Sequence, residues 1–217
     1  MPNLGPDLLR SRQRETAGVT LQLKAESALG APFGTASTVS GFSSDNAVLR
    51  ERADIGCVLL TAAVDSTDIT VSASHAAAVD LPLTPGLIKT SAHRKAIWLS
   101  PRSSLIQCGV AEEQDLVTHL NAAFPDKLAH AAALTDYLAW FELSGPAAID
   151  LLTEGTFLSL ERAGLPIGHA KQTLVAQIAA IIVHESASVW LVAVERSRAR
   201  YFTDWLIAAA EVSLQSR

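Results

Sequence analysis

The sequence predicts an α+β protein made of two small strand-and-helix subdomains behind an irregular N-terminal arm. Three observations carry that prediction. Short runs rich in β-branched residues and Leu, such as Asp54 to Ala62 and Val189 to Val194, have the length and composition of strands. Two longer stretches, Glu112 to Phe124 and Ser197 to Leu214, repeat apolar residues at helical spacing. Proline and glycine punctuate the rest, most densely at Leu81-Pro82-Leu83-Thr84-Pro85-Gly86, where lost backbone donors and a permissive glycine stop any regular element. The chain thus divides into an arm over 1–46, a first subdomain over 47–127 and a second over 128–217.

The arm mixes charge, Gly, Pro and Ser/Thr without a sustained period, which predicts an extended segment, only partly ordered alone, that can bind a partner. Asp54 to Ala62 reads as a strand, and Thr67 to Ala78, rich in small residues, fits a strand followed by a short helix. Ala96 to Ser100 and Ser104 to Cys108 read as strands around a Pro101-Arg102 turn. In the helix from Glu112, Glu112 and Glu113 complement the positive N-terminal dipole, Leu116, Leu120 and Phe124 share a face, and Pro125 ends the pattern. Strands at Leu128 to Leu134 and Leu138 to Leu143, a helix from Pro146 to Glu154, strands at Gln172 to Val183 and Val189 to Val194, and a helix from Ser197 give the second subdomain the order ββαββα. Ser144-Gly145-Pro146 supplies a helix start, Ser197 a cap for the last helix, and Tyr201, Trp205, Ala208 and Val212 its buried stripe.

Composition narrows the function. The 217 residues carry 17 Lys+Arg against 22 Asp+Glu, a formal charge of −5, with 49% hydrophobic and 18% charged residues. That balance excludes a disordered chain and argues against nucleic acid as a partner. A mass of 23.0 kDa predicts burial of about 70% of the unfolded surface, ample for a sizeable core. Apolar runs such as Ile55 to Val64 stop well short of the ~20 residues that cross a bilayer. The first fifteen residues hold five charges and no apolar stretch, so no signal peptide is read and the expected compartment is the cytoplasm. Cys57 and Cys108, without CxxC partners, read there as small buried hydrophobes.

A search for chemistry from residue types alone returns no active site. The twelve glycines form neither G-x-G-x-x-G nor G-x-x-x-x-G-K. No two of His75, His93, His119, His130, His169 and His184 stand three or four apart, so no helix face presents a chelating pair, and no metal is expected. No G-x-S-x-G elbow occurs, and the acidic residues fall where helix ends or solvated faces are expected. His93-Arg94-Lys95 reads as a solvated turn and His184, at a strand end, as hydrogen-bonded structure.

An ordered set of short motifs adds a family. Ile97-Trp98-Leu99-Ser100-Pro101 with Leu105-Ile106, Leu143-Ser144-Gly145-Pro146 with Leu151-Leu152, Gln172-Thr173-Leu174, His184, and Arg196-Ser197-x-Ala199 with Trp205-Leu206 together resemble the gamma subunit of heterotetrameric sarcosine oxidase. No single motif is specific; their order over roughly 54–210 is. The resemblance implies a fold like that of the glycine-cleavage T-protein and other folate-binding aminomethyltransferases. In that family an acidic catalytic residue precedes an apolar strand, and the matching place here is Gln177-Ile178-Ala179-Ala180-Ile181, where no carboxylate stands. The family's serine two residues after an aspartate is also missing after Asp136, where Tyr137-Leu138 stands in a shortened segment.

The implied role is therefore a non-catalytic subunit with no cofactor of its own. Folate and NAD would belong to an alpha subunit and FAD and FMN to a beta subunit, with a small delta subunit completing the complex. Its substrate would be sarcosine or a related N-methyl amino acid such as N-methylglutamate. Arg196, Ser197, Trp98 and Arg102, each at a strand end or turn, are the interface candidates. Two other readings stay open from sequence: a stand-alone folate-binding or one-carbon-transfer protein, and an unrelated α/β domain whose motifs mark only turns and caps.

Overall fold

A computed structural model describes residues 26–32, 34–63, 67–125, 129–161 and 163–215. The reading of 1–25 as a partly ordered arm lies outside the described residues. Among the described residues eleven strands and four α-helices follow in chain order: β1 (Ala36–Thr38), β2 (Val48–Arg52), β3 (Ile55–Ala62), α1 (Thr67–Ala77), β4 (Ile88–Thr90), β5 (Lys95–Ser100), β6 (Ser103–Gly109), α2 (Glu113–Ala122), β7 (Ala129–Ala133), β8 (Leu138–Ser144), α3 (Ala148–Thr153), β9 (His169–Val175), β10 (Ile178–Ser186), β11 (Val189–Glu195) and α4 (Ala199–Gln215). They form two antiparallel sheets, one in the order β1-β2-β8-β11-β10-β9 and one in the order β4-β5-β6-β3-β7. Strands are shared across the sequence: β1 and β2 join the sheet of the C-terminal half, and β7 joins that of the N-terminal half.

Side chains on a strand alternate between faces, and here both faces are used. In β3, Val58 and Leu60 pack under α1 and α2, while Cys57 and Leu59 face the other sheet. In β8 and β11, Phe141, Leu143, Val192 and Val194 pack under α3 and α4, whereas Trp140, Leu191 and Ala193 meet Cys57, Ile97 and Leu105 from the opposite sheet. The result is four layers, helix–sheet–sheet–helix, and it explains why β3, β6, β8 and β11 read as nearly continuous apolar runs. Each buried large side chain contributes about 1.5–3 kcal/mol relative to exposure.

One flank of the sandwich is closed by backbone. Leu87 bridges His169, the Ile88 amide donates to Gly168 O (2.9 Å) and the Ala170 amide to Gly86 O (2.7 Å), so the edges β4 and β9 meet. On the other flank, Asn121 of α2 donates through Nδ2 to Ala131 O and accepts the Ala131 amide at Oδ1, both at 2.9 Å. That amide takes the place of a neighbouring strand at the middle of β7 and blocks edge pairing there.

The structure departs from the sequence reading at several elements. Gln172 to Val183 is a hairpin, not one strand, because Ala176 and Gln177 at φ 50° and 67° form a two-residue turn that pairs Val175 with Ile178. Such turns usually carry Gly or Asn, and neither is present. The second half is therefore ββαβββα. Thr67 to Ala77 is helical throughout, with Ile69, Ala73 and Ala77 on its buried face. In α4 the buried stripe is Ala199, Phe202, Leu206 and Ala209, one residue out of phase with the expected one, since Tyr201 and Val212 are 50% and 59% exposed. Ser197 lies inside a 3-10 turn (Arg196–Arg198) and makes no capping bond. β1, β2 and β4 have no counterpart in the reading; all three are short.

The Leu143-Ser144-Gly145-Pro146 motif turns a corner. Gly145 sits at φ 112°, its amide donates to Ser188 O (2.8 Å), and a Cβ there would stand 2.3 Å from Asn46 O. Gly145→Ala should cost about 2 kcal/mol or more in urea denaturation, since it adds a backbone clash to left-handed strain. Gly34→Ala, at φ 84° with nothing within 4 Å of its Cβ, should cost about half as much, which isolates the clash.

Candidate functional site

The four residues nominated by sequence do not converge. Trp98 and Arg102 belong to the β5–β6 hairpin, where the Ala62 amide donates to Arg102 O (2.8 Å) and Arg102 Nη1 donates to Ala63 O (2.9 Å). Trp98 is half-buried. Arg196 sits toward the other end of β3, beside Ile55 and Thr135; its amide donates to Tyr137 O (2.8 Å) and its guanidinium to Glu26 O. Ser197, next to it, is exposed. The two pairs thus occupy opposite ends of β3.

Other sequence readings find their place. His184 is 6% exposed, stacks on Trp190 (3.8 Å between centroids, 10° between planes) and engages Leu165 O through Nδ1 at 2.7 Å, a packed structural histidine. In the segment matched to the T-protein acid, Ala180 packs under the α3–α4 layer and Ala179 is exposed. Thr135, in the turn before β8, binds the Cys57 amide (2.9 Å) and donates to Glu113, tying α2 to β3. Among the described residues no three of His, Cys, Asp and Glu cluster as a metal site would require, and no helix is long and apolar enough to cross a membrane.

What the sequence reading missed is a polar cleft of about 480 Å³ at one end of the inter-sheet layer. There the inward positions stop being apolar. Arg52 of β2, Glu142 of β8, Lys95 of β5, Gln107 of β6 and Glu185 of β10 line it with Asp54 and the Thr90 to Arg94 turn. Arg52 clamps Asp54 with two bonds of 2.8 Å and reaches Glu142 across the sheet at 2.7 Å, while Arg50 adds a 3.3 Å contact to Glu142. Lys95 pairs with Glu185 across the two sheets, and Arg94 lies 3.6 Å from Glu112. The signal was present in sequence as Gln107 and Glu142, polar residues inside apolar strands, while Arg50 and Arg52 belong to β2, a charged strand absent from the sequence reading. Only pairing shows that they share one face.

The local field follows from these contacts. The hydrogen bond from Arg52 holds the Asp54 carboxyl below the usual carboxylate range, against the opposing effect of burial. The same bond to Asp54 raises the Arg52 guanidinium above its already high value. Burial pushes the Cys57 thiol up to about 12 and the Cys108 thiol up to about 11, so both stay protonated and inert near neutrality.

The architecture places the protein in a known class. The glycine cleavage system aminomethyltransferase T from Bartonella henselae superposes on 76% of this chain and 46% of its own, with a TM-score of 0.57 at 13% identity. The fold is thus aminomethyltransferase-like, a mixed α+β architecture. The heterotetrameric sarcosine oxidase from Corynebacterium sp. U-96, solved with pyrrole 2-carboxylate, gives a TM-score of 0.71 at 23% identity, over 78% of this chain and 87% of that one. No curated protein matches the chain in sequence. The model of the sarcosine oxidase, gamma subunit family matches residues 61–212, and the chain belongs to that family.

Two measurements check the site. Asp54 has a depressed folded pKa, so its stabilisation is present above the unfolded carboxylate value of about 3.9 and is lost as pH falls through the folded value. Wild type should therefore be more stable than Asp54→Asn at pH 6, and the gap between the two urea midpoints should narrow as pH falls below the unfolded carboxylate value of about 3.9. Both cysteines should stay unmodified by iodoacetamide at pH 8 in the folded chain and react after denaturation, as mass spectrometry would record.

Proposed function

We propose that this chain is a non-catalytic subunit of a cytoplasmic sarcosine-oxidase-type complex. The complex would demethylate sarcosine or a related N-methyl amino acid oxidatively and pass the one-carbon unit to tetrahydrofolate. The carrying observation is family membership over 61–212. FAD, FMN, NAD and tetrahydrofolate would reside in partner alpha and beta subunits, with a delta subunit completing the assembly.

The absence of chemistry from this chain is supported by the packing of the matched segment. Ala180 is 5% exposed within the layer that α3 and α4 cover. A carboxylate cannot be recovered there by a rotamer, and neighbouring positions Ile178 and Ile181 are apolar. Ala179 and Ala180 offer a folate nitrogen no side-chain carboxylate, so no step is routed through folate on this chain.

Arg196, Ser197, Trp98 and Arg102 serve as contacts to the partners in this reading. Arginine and tryptophan at solvent-accessible turns are residue types that anchor interfaces. The guanidinium of Arg196 also ties the start of the described chain to the α4 end, so its loss would loosen the surface presented there.

The purified chain should show no flavin absorption near 450 nm and no oxygen uptake with N-methylglycine. Turnover by the chain alone would refute the proposal. Arg102→Ala, which changes an exposed turn, should weaken recovery of the co-expressed complex roughly tenfold at unchanged melting temperature. Full recovery would remove this hairpin from the interface.

A further inference from the structure

Of the edge strands β1, β4, β7 and β9, three are closed or blunted within the chain. β4 and β9 meet each other through the bonds of Ile88 and Ala170, and Asn121 caps the middle of β7. β1 is the exception. Val39 donates to Leu49 O (3.0 Å) in the register that sets Ala36 opposite Arg52, so Ser37 and Val39 bond β2 while Ala36 and Thr38 turn their N–H and C=O groups outward. Both residues are exposed, and among the described residues no strand pairs with that edge.

The helix-bearing side of this edge holds a second cleft, of about 400 Å³. Its lining includes Val39 and Glu51 from the sheet, Leu29 on one side, and Arg200, Asp204 and Ile207 of α4 on the other. Glu51, 3% exposed, accepts from Ser27 Oγ (2.6 Å) and from the Leu29 amide (3.1 Å), and Ser27 Oγ accepts the Ala31 amide (2.8 Å). The turn that carries Leu29 is thus pinned by a carboxylate whose charge two donors take up. A segment arriving at β1 meets a preformed slot between that turn and α4.

The free groups of β1 and the charges on α4 select the occupant. Outward N–H and C=O groups at Ala36 and Thr38 are met together by an extended polypeptide, which offers acceptors and donors at strand spacing. The side chains of Arg200 and Asp204 are exposed and make no ion pair or hydrogen bond among the described residues. They stand one turn apart, about 6 Å along the helix axis, close to the ~6.6 Å between alternate residues of a strand. A segment with an acid and a base two positions apart complements both. Arg196 and Ser197, proposed above as partner contacts, lead directly into this helix.

We infer that β1 is the acceptor edge for a strand from a partner subunit. That strand pairs through its backbone with Ala36 and Thr38, and it carries an acidic residue toward Arg200 and, two positions away, a basic residue toward Asp204. The six-stranded sheet gains one more strand on assembly. The inference rests on the assembly role proposed above and adds where on this chain, and by which backbone groups, one partner docks.

The test is Thr38→Pro in the tagged full chain, co-expressed with its flavin-bearing partners. Proline removes the outward N–H and blocks the edge with its ring, yet it spares the bonds of Ser37 and Val39 to β2, and edge strands tolerate it. Thr38→Pro should melt close to wild type and recover about tenfold less partner. Thr38→Ala, which keeps the donor, should recover as much as wild type, and Ala36→Pro serves where Thr38→Pro fails to fold. Hydrogen exchange should find the Ala36 and Thr38 amides fast in the isolated chain and protected in the complex. Undiminished recovery with a folded proline variant, or unprotected amides in a complex that forms, would overturn the inference and leave the assembly role standing. Protection already present in the isolated chain, from its own residues or from a second copy, would overturn it too. A wild-type chain that captures no flavoprotein would remove both.

Discussion

The packing of two sheets through one shared apolar layer is the constraint on which the rest of this structure depends. Cys57, Ile97, Leu105, Trp140, Val183, Leu191 and Ala193 fill that layer, and each comes from a strand whose opposite face is covered by helices. Neither sheet can leave the other without exposing this surface, at roughly 25 cal/mol for every Å² of apolar area returned to water. Where the layer ends, the same inward positions carry Arg52, Lys95, Gln107, Glu142 and Glu185. The cleft is thus a consequence of the sandwich: apolar contact holds the sheets through the layer, and where it ends Lys95 pairs with Glu185 across them.

Those ion pairs differ from ordinary surface pairs. Arg52 binds Asp54 bidentately and Glu142 across the neighbouring strand, with side-chain exposures of 25%, 33% and 16%. Partial burial strengthens the Coulomb term, but desolvation opposes it, so the net contribution to stability is smaller than the geometry suggests. Their clearer effect is orientation. A guanidinium held by two carboxylates fixes the end of β2 against β8 and sets the shape of the cleft wall.

Much of this was legible in the residues. The boundaries of β3, β5, β6, β8 and β11 follow their apolar runs, and α2 follows the four-residue repeat of Leu116 and Leu120. Elements that failed did so for local reasons. The turn at Ala176 and Gln177 has positive φ without the Gly or Asn that advertises it. The α4 stripe was assigned through Tyr201 and Trp205, yet Phe202 and Leu206 take the core because tertiary contact with Phe141 decides the face. The cleft was hidden for a different reason. Its members come from five strands, and the register that places Gln107 opposite Lys95 is written in pairing rather than in spacing. The motifs that carried the family resemblance mark corners: Gly145 turns under Asn46, Pro101 and Arg102 turn between β5 and β6, and Arg196 and Ser197 form the turn before α4. They identify the scaffold without naming any chemistry.

The proposed role, a non-catalytic subunit on an aminomethyltransferase-like scaffold, places the work of this chain at its surface. Native mass spectrometry of an affinity-tagged copy, co-expressed with flavin-bearing partners, bears on this most directly. The account predicts one dominant species in which this chain is bound stoichiometrically to a flavoprotein, with every flavin mass on the partner after dissociation. A lone chain that carries its own flavin or folate would contradict it.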